Sequence, residues 1–367
     1  MMPRLTVRQV VGEGIASGWL PADAPERARD ALVTAAREET PWYLRILIGG
    51  AAWVGAIFML GTVIGLVAIA LGERVDAAAI LLGLLLMPAG VWMRTGARNE
   101  LMRQAALVLV ITGQMLLVGG IGAISESTTA AAMVVALTSI VLIAVHDEAV
   151  YRFAATLAVV TAVLVLAFDF KVPYALGGAT AVLACVPLIV WRVPALQGRH
   201  RVLDAVAWAS AVGLCTLLAV QTIVDAVTGP MGQPPDMLRL LMPTPWPLAM
   251  LFVVLQVWLA TQVARDHGVS PTSPAPLGAM VAIIVIGALT LSTPAIAGSL
   301  LLMVLAFDRR RTGLLGLAAM FLVGFLGLYY YSLALTLLHK SVILVASGLV
   351  CLGAAAFFKA QVRELTA

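Results

Sequence analysis

The sequence predicts an all-α polytopic membrane protein, a bundle of about twelve transmembrane helices. Of its 367 residues, 62% are hydrophobic and only 11% carry a charge, and the mean hydropathy is +1.02. A water-soluble domain of this length needs a far more polar surface. Apolar runs approach the roughly 20 residues with which a helix crosses the bilayer, and no long segment alternates as barrel strands do. Helices, which satisfy their own backbone hydrogen bonds, therefore build the fold.

The first 41 residues precede the first apolar run and hold 11 of the charged side chains. Thr6 begins a capping box, and Asp23 followed by Pro25 marks a second helix start. We therefore expect a cytoplasmic helical hairpin over residues 1–41, resting on a transmembrane bundle of residues 42–367. A module that docks a partner is the alternative interpretation of this hairpin. The charged beginning argues against a cleavable signal peptide and for an uncleaved first span.

Apolar runs bounded by charges, glycine and proline give the predicted spans. They are 44–71, 76–93, 101–123, 128–145, 149–168, 174–191, 203–227, 246–263, 275–291, 295–307, 313–337 and 341–358. Two neighbouring pairs are weakly separated, one by Ser292-Thr293-Pro294 and the other by His339-Lys340-Ser341. The count falls to ten or eleven if either pair is one kinked or re-entrant element.

The basic residues predict the orientation of these spans. With twelve spans, 19 of the 23 Lys and Arg side chains lie on the side of the N-terminus, and only Arg74, Lys171, Arg239 and Lys340 lie on the other. Because cytoplasmic loops carry the excess of basic residues, both termini are expected in the cytoplasm. The predicted location is the bacterial cytoplasmic (inner) membrane, with the lipid bilayer around the helices.

Several classes of function find no signature in the sequence. The cysteines Cys185, Cys215 and Cys351 have no paired spacing, and the four histidines lie far apart, so neither a disulfide framework nor a metal site is predicted. The basic residues stand at helix ends without interleaved aromatic residues, which argues against nucleic acid as a partner. No cofactor is predicted either.

A polar stripe interrupts the apolar run near the C-terminus. If the run continues as one helix, then Tyr329, Ser332, Thr336 and Lys340 lie on one face, because residues three or four apart are neighbours on a helix, and His339 lies beside them. The stripe is about 16 Å long at 1.5 Å per residue. These five residues are the first candidates for binding a ligand or a partner.

Other polar residues lie inside the predicted spans, where they are costly. Gln221 and Asp225 are one turn apart in the seventh span and serve either in packing and ion pairing or in contact with a ligand. Lys340 and Arg239 are both possible ion-pair partners of Asp225, and we expect the pair with Lys340. Gln114 and Gln256, near the middle of their spans, are expected to form hydrogen bonds between helices.

Two segments carry a resemblance to a known family. The residues concerned are Pro41-Trp42-Tyr43-Leu44, Ala52-Trp53, Phe325, Tyr329-Tyr330-Tyr331-Ser332-Leu333, Thr336-Leu337-Leu338, Lys340-Ser341 and Ser347-Gly348. In them the chain resembles the DUF4401 family, a domain of unknown function, over most of residues 40–360. His339 stands where the family pattern has a residue such as Gln.

The resemblance implies a polytopic inner-membrane protein of bacteria. Members of the family are often encoded beside a GDYXXLXY-domain protein, which the resemblance therefore implies as a partner facing outward. It supplies no catalytic residue, because no reaction is established for the family.

Three functions are compatible with these observations. The first is a non-enzymatic scaffold or assembly subunit that holds a partner at the outer face, since acid–base pairs are scarce in the spans. The second is a carrier or flippase-like protein that moves an anionic or lipid-linked substrate through an outer-leaflet polar cavity, since the stripe needs water, a ligand or a partner. The third, an intramembrane hydrolase or transferase, lacks a placed general acid and base.

Overall fold

The structure, a computed structural model, describes residues 72–97, 100–193, 200–231 and 245–332, together with short stretches between residues 15 and 70 and residue 345. In the four long ranges the chain forms ten α-helices, preceded by a 3-10 turn over Gly72–Arg74. The helices are α1 (Val75–Thr95), α2 (Glu100–Ser125), α3 (Thr128–Val145), α4 (Ala149–Asp169), α5 (Ala175–Arg192), α6 (His200–Met231), α7 (Pro245–Asp266), α8 (Pro274–Leu289), α9 (Pro294–Asp308) and α10 (Thr312–Ser332).

Helices α1 to α7 each contain a segment long and apolar enough to cross a membrane. Shorter apolar helical segments follow at Pro274–Leu289, Pro294–Asp308 and Thr312–Leu328. The chain is therefore a multi-pass membrane protein, and its regular structure within the described ranges is helical.

The helix bounds agree with the predicted spans to within a few residues. Turns at residues 290–293 separate α8 from α9, so the weakly divided run 275–307 forms two helices rather than one. Pro294 occupies the first turn of α9, where its missing N–H costs nothing. The other weak division, at His339-Lys340-Ser341, lies outside the described residues, and the count of twelve spans stays a prediction.

The predicted N-terminal hairpin is described only in fragments. Residues 15–16 and 25–27 are helical, and the exposed Arg27 forms an ion pair with Asp23 at the predicted second helix start. The hairpin and the domain boundary near residue 41 stay predictions.

Internal contacts divide the chain into two compact units. The first comprises residues 1–75 and 85–113, and its described core contains Met87, Ala106, Leu107, Val108 and Val110. The second comprises residues 76–84 and 114–367.

Helices α6 and α9 form the centre of the second unit. Helix α6 packs against α4, α5, α9 and α10, and α9 also packs against α7. More than half of the membrane segment of α6 is buried, 56% against 17% for that of α3. Small residues allow this close packing, since Ala207, Ala209 and Ala211 are fully buried. Helix α9 buries Leu301, Leu302 and Leu305 in the same core.

Helix α7 also packs tightly against α8, at one glycine. A Cβ built on the buried Gly287 of α8 would lie 2.1 Å from Cγ2 of Val253 in α7. Only glycine allows the two helices to come this close without moving Val253.

Candidate functional site

The polar stripe lies at the edge of the described structure. The backbone of α10 remains helical to Ser332, so Tyr329 and Ser332 are spaced to share a face. Their side chains are outside the described part, and so are Thr336, His339 and Lys340 entirely. The stripe as a binding site, and the pairing of Lys340 with Asp225, stay predictions.

Gln221 and Asp225 have different surroundings although they are one turn apart. Gln221 is 6% exposed, and its Nε2 donates to Oγ1 of Thr180 in α5 at 2.9 Å. The Thr180 hydroxyl donates in turn to the carbonyl of Leu176 at 2.6 Å. Asp225 is exposed. Gln221 therefore joins α6 to α5, whereas Asp225 faces the surroundings of the protein.

A second polar cluster connects α2, α3 and α4 through Gln114. Nε2 of Gln114 lies 2.9 Å from Oγ1 of Thr138 and 2.8 Å from Oγ of Ser139, both in α3. Its Oε1 accepts a hydrogen bond of 2.7 Å from the hydroxyl of Tyr151 in α4. Tyr151 is 1% exposed and Ser139 is fully buried. The predicted role of Gln114 in interhelical hydrogen bonding is confirmed.

The same cluster reaches the start of α4 through residues that the sequence reasoning did not select. The buried ring of His146 meets Tyr151 edge to face at 5.3 Å. Next to Tyr151, the buried Arg152 donates to the carbonyl of Ile143 at 3.1 Å and forms an ion pair of 2.8 Å with Asp147. Asp147 is open to solvent. The position of Tyr151-Arg152 just after a turn could have indicated this contact from the sequence, because an arginine at a span end needs nearby acceptors.

Gln256 forms the third interhelical amide contact. It is 4% exposed, and its Nε2 donates to the carbonyl of Ala297 in α9 at 2.9 Å. This contact confirms the predicted packing role of Gln256. In the same helix, the hydroxyl of Ser299 donates to the carbonyl of Ala295.

Charged and aromatic residues connect five helices at one end of the second unit, which we call the charged end. Its members are Trp191 and Arg192 of α5, Asp204 and Trp208 of α6, Asp266 of α7, Asp308 of α9, and Arg309 and Arg311 around the start of α10. Arg192 contacts Asp266 and lies 3.5 Å from Asp308, which itself pairs with Arg309 at 2.9 Å. Because the side chains of Arg192 and Asp308 are 6% and 8% exposed, this pair is largely desolvated.

The aromatic part of the charged end is built around Asp204. Its Oδ1 accepts from Nε1 of Trp191 at 2.9 Å and pairs with Arg311 at 2.6 Å. The guanidinium of Arg311 also lies over the Trp191 ring, 4.4 Å from its centroid, and Trp208 meets that ring edge to face. Such a stacked arginine is held by its carboxylate and by the ring together. Sequence spacing could not show that these helix ends meet.

We searched the described residues for side chains that could bind a metal ion. Within the described ranges, no three His, Cys, Asp or Glu side chains are grouped so that they could hold a metal ion. The polar side chains described above instead bond to one another and to backbone carbonyls. Chemically, this arrangement fixes helix positions.

One comparison with known proteins gives a match. A family model described as "Domain of unknown function (DUF4401)" matches residues 41–360. No curated protein and no solved structure matches the chain.

Proposed function

The chain belongs to the DUF4401 family, whose description names no activity, and from the geometry of its helices we propose that it is a non-enzymatic scaffold or assembly subunit. In this role it holds a partner protein at the outer face of the membrane. The alternative is the carrier or flippase-like protein.

The observation that carries the proposal is that the glutamine amides inside the spans bond to neighbouring helices. Gln114, Gln221 and Gln256 each form hydrogen bonds to a neighbouring helix, at 2.7 to 2.9 Å. A buried amide that is satisfied in this way fixes one helix against another and offers little to a passing solute. A carrier needs polar groups that exchange protein partners for substrate. These contacts favour a rigid body.

The charged end supports the same function. Its ion pairs link the ends of α5, α7 and α9 to one another and the beginning of α6 to that of α10. The hydrogen bond from Trp191 to Asp204 connects the two groups. A network that joins five helices resists the rocking of one bundle against another on which alternating access depends.

The opposite ends of the helices offer a defined surface to a partner. Asp169 at the end of α4 accepts hydrogen bonds from Thr128 and Thr129 at the start of α3, at 3.2 and 2.8 Å. In the short turns beside them, Glu126 and Lys171 have left-handed backbones, with φ of 48° and 52°. Turns that are fixed by such contacts lose little entropy when a partner binds.

The distribution of basic residues gives the orientation that we propose. In this orientation the charged end and both termini are cytoplasmic, and Glu126, Lys171 and Asp225 face outward. The membrane is the bacterial cytoplasmic membrane, and the partner is the GDYXXLXY-domain protein that the family resemblance implies.

Photocrosslinking in intact cells tests the proposal. A photoreactive amino acid replaces Glu126 or Lys171, and in the control it replaces Arg310, which is exposed in the turn before α10. The protein is co-expressed with the GDYXXLXY-domain protein of the same organism and purified in mild detergent. We expect crosslinks to that protein from positions 126 and 171 and none from position 310. A stoichiometric partner captured from position 310 alone, or no complex from any position, contradicts the proposal.

A further inference from the structure

A cleft of about 390 Å³ lies between α5 and α7, at the ends where both helices begin. Gly177, Gly178 and Ala181 line it on the side of α5, and Pro247, Leu248 and Leu251 line it on the side of α7. All of these are apolar residues. We call it the α5–α7 cleft.

The small residues of α5 create the space. A Cβ built on Gly178 would have no other atom within 4 Å, so the cleft is empty directly above this residue. At Gly287, by contrast, a Cβ would lie 2.1 Å from Cγ2 of Val253. Gly178 therefore keeps a volume open, whereas Gly287 lets two helices touch.

The position of the cleft restricts what fills it. Both of its helices contain a membrane-crossing segment, and the cleft borders their first turns. Tyr174, which also lines it, and Trp246 are 60% and 56% exposed at these helix ends. Aromatic residues at the ends of spans sit at the level of the lipid headgroups. The cleft therefore opens among the parts of the acyl chains that lie nearest the headgroups.

Size and polarity point to one occupant. Water in an apolar cleft lacks the two to four polar partners that hold it there, so the occupant is apolar. A further helix does not fit inside the cleft, because one turn about 10 Å across fills roughly 420 Å³ and would have to lie across the opening instead. A lipid chain fits along α5, where Tyr174 to Ala181 covers about 10 Å of helix axis. That length is about two thirds of the hydrocarbon thickness of one leaflet, roughly 15 Å.

We propose that the α5–α7 cleft binds one acyl chain of a membrane lipid, with the glycerol region of that lipid between Tyr174 and Trp246. The carbons nearest the ester lie against Gly178 and Leu251, and the methyl end leaves the cleft. The proposal does not depend on the scaffold function or on the orientation of the protein.

Photoactivatable lipids test this site. The full-length protein is reconstituted into vesicles of phosphatidylethanolamine and phosphatidylglycerol, in which the phosphatidylglycerol carries a diazirine either near the ester or at the chain end. With the diazirine near the ester, we expect labelling to concentrate on residues 174–181 and 247–251. With it at the chain end, we expect labelling to spread over the lipid-facing helices.

Gly178→Phe provides the decisive variant, because a Cβ at this position meets no other atom within 4 Å and the ring adds bulk on the side of the cleft. The matched control is Gly278→Phe near the start of α8, where a Cβ also meets nothing within 4 Å. We expect Gly178→Phe to lose the concentrated labelling and Gly278→Phe to keep it, with thermal unfolding unchanged in both. If Gly178→Phe does not fold, Ala181→Leu occludes the same space from the next turn. Labelling of the cleft that equals that of α1 in the wild type, or that survives in the occluded variant, overturns the proposal.

Discussion

The two ends of the α5–α7 pair are held in different ways. At the charged end, Arg192 of α5 reaches Asp266 of α7 and Asp308 of α9, and the helices are tied. About 21 Å away along α5, from Arg192 to Gly178 at 1.5 Å per residue, the same two helices leave a cleft of about 390 Å³. Charged side chains reach across a gap that apolar residues can close only by touching. The difference shows that ion pairs hold these helices together at one end, whereas small side chains leave a space between them at the other.

The largest effect is expected when the charged end loses Arg192. In Arg192→Ala, the 8% exposed side chain of Asp308 loses Arg192 and keeps its ion pair with Arg309. Removing one partner of a buried pair costs about 3–5 kcal/mol, and we expect the lower end of that range because Asp266 is open to solvent. Thermal unfolding in detergent measures the loss. Arg310→Ala, in the same turn as Arg309 but exposed, is the control and should change stability little.

The buried amide cluster should behave as a coupled unit away from either end. Gln114→Leu leaves the Tyr151 hydroxyl, 1% exposed, without its acceptor, which costs about 1–3 kcal/mol. Tyr151→Phe removes the hydroxyl itself. In the double variant nothing polar is left stranded between them, so the combined loss should be smaller than the sum of the two. Strictly additive losses would show that this hydrogen bond does not contribute to stability.

Gly287 contrasts with the glycine that keeps the α5–α7 cleft open. Gly287→Ala forces its methyl against the stiff, β-branched Val253, and overpacking of this kind costs about 1–3 kcal/mol. Val253→Ala should restore part of the loss in the double variant. The control Gly278→Ala, on the same helix with open space around it, should stabilise by about 0.5–1 kcal/mol. Equal destabilisation by both alanines would mean that α7 and α8 are not in close contact.

The smallest effect is expected in the aromatic part of the charged end. Trp191→Phe keeps a ring beneath Arg311 but removes the indole N–H that donates to Asp204 at 2.9 Å. Asp204 retains its ion pair with Arg311, so we expect a loss of only about 0.5–1.5 kcal/mol. A urea or thermal melt that shows a loss as large as that of Arg192→Ala would place the strength of this end in the tryptophan instead.

Much of the fold could be predicted from the sequence because the bilayer imposes a length on each apolar run. Helix α3 begins and ends at the predicted residues 128 and 145. Helix α6 extends beyond its predicted span, 203–227, to His200–Met231. The prediction stopped at charged or small residues, whereas a helix backbone continues through them into the interface.

The contacts between helices could not be predicted in the same way. Gln114 and Gln256 were expected to bond between helices, since a buried amide needs a partner, but hydropathy does not name that partner. Tyr151 is 37 residues from Gln114 in sequence. Arg192 and Asp266 are 74 residues apart, and in the sequence each is only a charge next to an apolar run. These contacts depend on which helices are neighbours, and periodicity along one helix carries no information about its neighbour.

Accessibility of the span interiors tests the central claim, that the polar groups inside the spans join helices, most directly. Single cysteines replace Ser139, Thr180 and Ser299, each fully buried, in a background with Cys185→Ala, Cys215→Ala and Cys351→Ala. Lys171→Cys, at an exposed turn, is the positive control for a water-soluble thiol reagent applied to intact membranes. We expect rapid labelling at position 171 and none at positions 139, 180 and 299. Labelling of the three interior positions at a rate close to that of position 171 would reveal a water-filled passage, contradict the scaffold and favour a carrier.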